Sequence, residues 1–298
     1  MDPIAAFLQG AVLPGTVIFL LVLALGWRGL DVRVPLAGGA VAAAAGYWAG
    51  YLAVFGVPGF PSVRSVEWMP PAAAVCVLLA VPFLTRHGGA LWTAAAWVPL
   101  LGALAWVWHM VARGVVRREE FIWPGVGVLA FGALVVAVFL ALPAMRTFAR
   151  EGEEEAGARR WPVVPFLLMV LATAASIGLL ASGSARVSQM LGIVAAGSGA
   201  VCAAGLLTRN NPALPGAEGV LAMLAGFHLL LATWYSELGA PAVVAFMAAG
   251  VGIAGFALGE RLETPAGRWL RIGGGAGAIA LSIATTGLII IVRGLPDL

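Results

Sequence analysis

A chain of 298 residues that is 61% hydrophobic and 10% charged, with a formal net charge of +3, lacks the polar surface of a water-soluble domain, in which about a quarter of residues are charged. Its mean hydropathy of +0.99 makes lipid the solvent for most of that surface. The 17 basic residues, all arginines, are dispersed among short connections rather than gathered on one face or tail, which excludes a nucleic-acid surface despite a pI near 9.4.

A hydrocarbon core of about 30 Å takes roughly 20 apolar residues of helix. Ten such runs fill the chain: Ile4 to Trp27, Val34 to Val57, Trp68 to Thr85, Ala90 to Ala112, Phe121 to Met145, Trp161 to Ser182, Ser188 to Thr208, Gly219 to Ser236, Gly239 to Leu258 and Leu270 to Val292. Backbone polar groups must be paired inside lipid, and continuous apolar runs without alternation exclude a barrel. The expected class is all-α, a polytopic integral membrane protein of about ten transmembrane helices. The chain opens Met1-Asp2-Pro3 and runs straight into the first apolar segment, without the basic start of a secretory signal, so that helix is expected to be retained.

With both termini outside, the cytoplasmic connections hold Arg28, Arg33, Arg86, Arg146, Arg150, Arg159, Arg160, Arg209, Arg261, Arg268 and Arg271. The other side holds Arg64, Arg113, Arg117, Arg118, Arg186 and Arg293. Arginine favours the cytoplasmic side, so this layout is the expected one, in a cell inner membrane. The third run, short and containing Pro70, Pro71 and Pro82, is the one whose removal weakens the contrast. Tryptophans near the span ends (Trp27, Trp68, Trp92, Trp123, Trp161, Trp234 and Trp269) suit the headgroup region.

The one long polar connection, 146–160, carries Glu151, Glu153, Glu154 and Glu155 balanced by arginines. It divides the chain into a first five-helix half (1–145) and a second (161–298). Setting the second span beside the seventh pairs Arg33-Val34 with Arg186-Val187, Gly39 with Gly192, Val41-Ala42-Ala43 with Val194-Ala195-Ala196 and Gly46 with Gly199. Two residues further out of register, Glu67 meets Glu218, Leu78-Leu79 meets Leu229-Leu230 and Gly88 meets Gly239. An odd number of helices per half makes this an inverted repeat, the arrangement of many secondary transporters. Ten helices in about three hundred residues resembles in outline the drug/metabolite transporter superfamily. None of that family's sequence motifs is matched here, its usual inside termini differ from those expected for this chain, and no functional residue is carried across.

Small residues recur at every fourth position in the second span (Gly38, Ala42, Gly46, Gly50) and in the tenth (Gly274, Ala278, Ser282, Thr286). Such stripes allow close helix packing, or a sliding interface between bundles. Ser282, Thr285 and Thr286 are also candidates for lining a solute site. His228 is the one ionisable side chain expected near the middle of a span, and Tyr235 shares its helical face. A solute site and a neutral imidazole bonded to a neighbouring helix both account for it. Glu67 and Glu218 immediately precede expected spans, as helix caps or as ion ligands. No carboxylate is expected inside a span, which argues against proton- or sodium-coupled transport.

Cys76 and Cys202 lie in expected spans without a CxxC partner and read as packing residues. His87 and His109 do not share a depth with His228, so no haem or metal site is expected. Gly273-Gly274-Gly275-Ala276-Gly277 follows no strand and lacks the rest of a phosphate loop, and there is no GxSxG elbow. Neither a cofactor nor enzyme activity is expected. The reading is a permease-like protein that moves or binds a small neutral or amphipathic solute. The alternative is a non-catalytic subunit or scaffold that binds partner membrane proteins.

Overall fold

The computed structural model describes residues 8–25, 33–57, 73, 162–208, 213–235, 238–260, 262 and 264–294. Among them the chain is helical and contains no strand. A π-helical turn, Leu8–Val12, leads into α1 (Leu13–Leu25), followed by α2 (Arg33–Phe55), α3 (Val163–Ala181), α4 (Ala185–Leu207), α5 (Leu214–Tyr235), α6 (Ala240–Gly259) and α7 (Pro265–Arg293). These correspond to the first, second and sixth to tenth expected spans. The third to fifth spans, the connection 146–160 and Glu67 lie outside the described residues.

Among the described residues five helical stretches are long and apolar enough to cross a membrane: 37–55, 163–181, 185–207, 241–259 and 265–293. Gly10–Leu25 and Gly216–Leu229 are shorter apolar stretches. The set is compatible with a multi-pass membrane protein. α7, with 29 residues, extends about 43 Å at about 1.5 Å per residue, longer than the hydrocarbon core.

α5 and α7 both begin about a turn before their apolar runs. Proline lies in the first turn of each, where its missing N–H forfeits no intrahelical bond. Thr264 caps α7 by accepting a hydrogen bond from the Gly267 amide at 3.2 Å. The α3–α4 turn is closed by Gly183 at φ 82°. Its amide donates to Leu180 O (3.0 Å) and that of Ser184 to Leu179 O (2.9 Å), the paired bonds of a Schellman ending.

Three hairpins pack antiparallel. Gly46 and Gly50 of α2 lie on Ile18 and Pro14 of α1; Gly199 of α4 lies on Met169 of α3; Gly252 and Gly259 of α6 lie against Gly274 and Gly267 of α7. The Ser176 hydroxyl of α3 also donates to Ser188 O of α4 at 2.8 Å. Other pairs run parallel. α2 follows α5, with Gly39 on the Ala213 carbonyl oxygen at one end and Tyr47 meeting His228 further along. α3 follows α7, with Leu167 beside Gly275, Ala174 beside Thr286 and Gly178 beside Ile289. The core is aliphatic and alanine-rich, with Ile18, Tyr47, Leu179, Met190 and Phe246 fully enclosed.

The two small-residue stripes therefore pack helices. Gly38, Gly46 and Gly50 receive α1, and Gly46 leaves no room for a Cβ against Ile18. Gly274 and Ala278 lie against Gly252 of α6, Ser282 bonds to Ala278 O, and Thr286 reaches α3.

Candidate functional site

α2 packs along α5, and both helices carry several glycines and alanines. At Gly39 the approach to the Ala213 carbonyl leaves no space for any side chain. This closeness lets two side chains near the middle of their helices meet. The Tyr47 hydroxyl and His228 Nε2 are 2.8 Å apart, and His228 Nδ1 is 2.6 Å from Leu224 O. A carbonyl oxygen only accepts, so Nδ1–H donates to Leu224. In the neutral ring Nε2 then accepts from the Tyr47 hydroxyl. The rings are 5.5 Å apart and tilted by 59°. Both residues are fully buried. The imidazole is satisfied by its own helix on one side and by a neighbouring helix on the other, and each bond fixes the ring for the other.

Sequence reasoning singled out His228 but passed over Tyr47. A tyrosine in an apolar run reads as packing, and nothing in the sequence says which helix faces which. Tyr235 lies at the end of α5, and its side chain is outside the described residues.

The remaining solute candidates do not join His228. α7 packs chiefly on α6 and α3, whereas the His228 ring faces α2. The Thr286 hydroxyl, a single donor, lies 2.8 Å from Ala174 O and 2.9 Å from Ser282 O, and the Ser282 hydroxyl bonds to Ala278 O at 2.7 Å. Both hydroxyls are thus held by helix carbonyls. Thr285 is buried as well.

Glu218 is placed differently from the expectation. α5 starts at Leu214, so the residue lies within the helix instead of capping it, and it is 8% exposed. The capping role has no geometry at this position, and a carboxyl group does lie inside a helix of the bundle. Cys202 of α4 and Glu260, just past α6, are within electrostatic reach of it. Among the described residues no group of three or more His, Cys, Asp or Glu side chains is arranged to hold a metal ion.

The chain matches no family model, and no curated protein or solved structure is detectably similar to it.

Proposed function

We propose that the chain is a permease-like membrane protein that binds and moves a small neutral or amphipathic solute between two five-helix halves. The observation that carries this reading is the Tyr47–His228 pair. It is a buried polar contact near the middle of two apolar helices, one from each expected half. A polar group is costly in such a setting and marks a pathway or site when it lies between bundles. In carriers built from inverted repeats, solute binds at that depth and at that junction. A solute with one donor and one acceptor can replace the pair, giving a hydrogen bond to Nε2 and taking one from the phenol.

Helix directions support the ten-span, inverted arrangement. α1 and α3 run oppositely, as do α2 and α4, the pairs an inverted five-helix repeat relates. The aligned glycines Gly46 and Gly199 both lie against the preceding helix of their own hairpin. α2 ends at the face opposite to the one where α3 begins, which agrees with the three spans expected between them.

The test is uptake of a panel of neutral and amphipathic fluorescent solutes into proteoliposomes, with Tyr47→Phe and His228→Phe alongside the native chain. Saturable uptake weakened by both variants is expected. Absence of uptake for every solute, together with no small molecule retained in native mass spectrometry, would end the reading.

The scaffold reading draws on the outer face of α7, where Gly273 and Gly277 have open space beside them and Ile283, Leu288 and Ile291 are exposed. It predicts that another membrane protein co-purifies with the chain in mild detergent.

A further inference from the structure

Glu218 is the buried titratable group that the solute site leaves unused. It lies in the second turn of α5, on the stretch that runs along α4. Leu214 meets Gly205 and Leu221 meets Gly197 on either side of it. It is 8% exposed, and no described residue gives its carboxyl a hydrogen bond or an ion pair. The groups within electrostatic reach, Cys202 and Glu260, are both acidic. Among the described residues α3 and α6 present no titratable side chain; α2 begins with Arg33, at the same end of the bundle as the start of α5 and with its side chain outside the described residues, and carries Tyr47 and Tyr51 nearer its other end. Arg209 and Arg261 lie outside the described residues.

An ionised carboxylate without a counter-charge is far costlier in apolar packing than the neutral acid, and a second carboxylate nearby adds to that cost. The neutral acid packs without either penalty. Glu260 is exposed, so the same end of the bundle meets water, and a proton has a short way in and out. We propose that Glu218 is an exchangeable proton site, loaded from the aqueous phase at the end of the bundle where α5 begins and held where α5 packs against α4. Coupling of solute movement to a proton gradient through this site rests on the permease reading; the site itself does not.

Dicyclohexylcarbodiimide tests it on the full-length chain in membranes. The acid proton passes to a carbodiimide nitrogen as the carboxyl oxygen adds to the central carbon. Rearrangement then leaves an N-acylurea that retains every atom of both reactants. Peptide mass spectrometry should find this adduct on Glu218, several-fold more at about pH 6 than at about pH 9. The label should be unaffected by exchanging choline for sodium, and absent from Glu218→Gln. That variant, the neutral isostere, should keep native thermal stability. No adduct on Glu218, an adduct independent of pH, or marked destabilisation by Glu218→Gln would each overturn the proposal. Protection by sodium would assign a metal cation in place of the proton and overturn it equally. These readouts need no transport, so failed uptake of every solute leaves them standing.

Discussion

Tyr47 and His228 form a hydrogen bond between helices that lipid does not push together, so its strength is set by what replaces it. In membrane proteins such bonds contribute about 0.6 kcal/mol on average and up to about 1.7 kcal/mol. Tyr47→Phe removes one oxygen without opening a cavity the size of a ring. A double-mutant cycle of Tyr47→Phe with His228→Phe should therefore give a coupling in that range, measured by thermal unfolding in detergent. A coupling near zero would mean that the two rings do not depend on each other. The same smallness makes the functional test readable: both variants should fold, and His228→Phe should change solute binding more than stability. Unchanged binding with unchanged stability would remove His228 from the site.

The glycines of α7 show why neighbours in sequence differ in cost. Gly274 lies against the Gly252 carbonyl of α6, while Gly273 has open space where a side chain would start. Gly274→Val forces α6 and α7 apart and should destabilise by about 1–3 kcal/mol, the range for overpacking a filled interface. Gly273→Ala should be neutral or stabilise by up to about 1 kcal/mol through helix propensity. Chemical unfolding of the two variants side by side checks the pair, and equal effects would mean that α6 and α7 do not meet at this position. Much of this was legible in the sequence. Length and uninterrupted apolar character located the seven described helices, and small residues at every fourth position marked the packed faces of α2 and α7. The starts of α5 and α7 differ from those expected because a hydropathy run is pulled inward by the charged residues at its edge, whereas these helices begin before Glu218 and before Arg268 and Arg271. That shift is what turned Glu218 from a surface cap into a buried group. Tyr47 was hidden for another reason. Apolar helices carry little information about which of their neighbours they will face.

The contacts that run through the hairpins fix the relative placement of the start of α1 and the end of α7. Gly10, in the π-helical turn before α1, lies beside Val54 near the end of α2, and Gly50 of α2 lies on Ile193 in the first half of α4. The start of α4 lies beside the end of α3, which in turn follows α7, with Gly178 beside Ile289. The turn that leads into α1 and the end of α7 at Gly294 therefore occupy the same face of the bundle, together with Arg186 and Arg293. Arg268 and Arg271, at the start of α7, occupy the other. Adding the arginines that the sequence puts in the adjoining connections, the second face is expected to be the richer one, and the bias of arginine toward the cytoplasm predicts that it lies inside. Single cysteines introduced as Ser184→Cys, Gly294→Cys and Leu262→Cys test this in intact cells with a membrane-impermeant maleimide, in a chain whose Cys76 and Cys202 are replaced by serine. The first two should label from outside, and Leu262→Cys only after permeabilisation. Labelling of Leu262→Cys alone from outside would reverse the orientation. Labelling of all three from outside would mean that α7 does not cross the bilayer, and the permease reading would lose its basis.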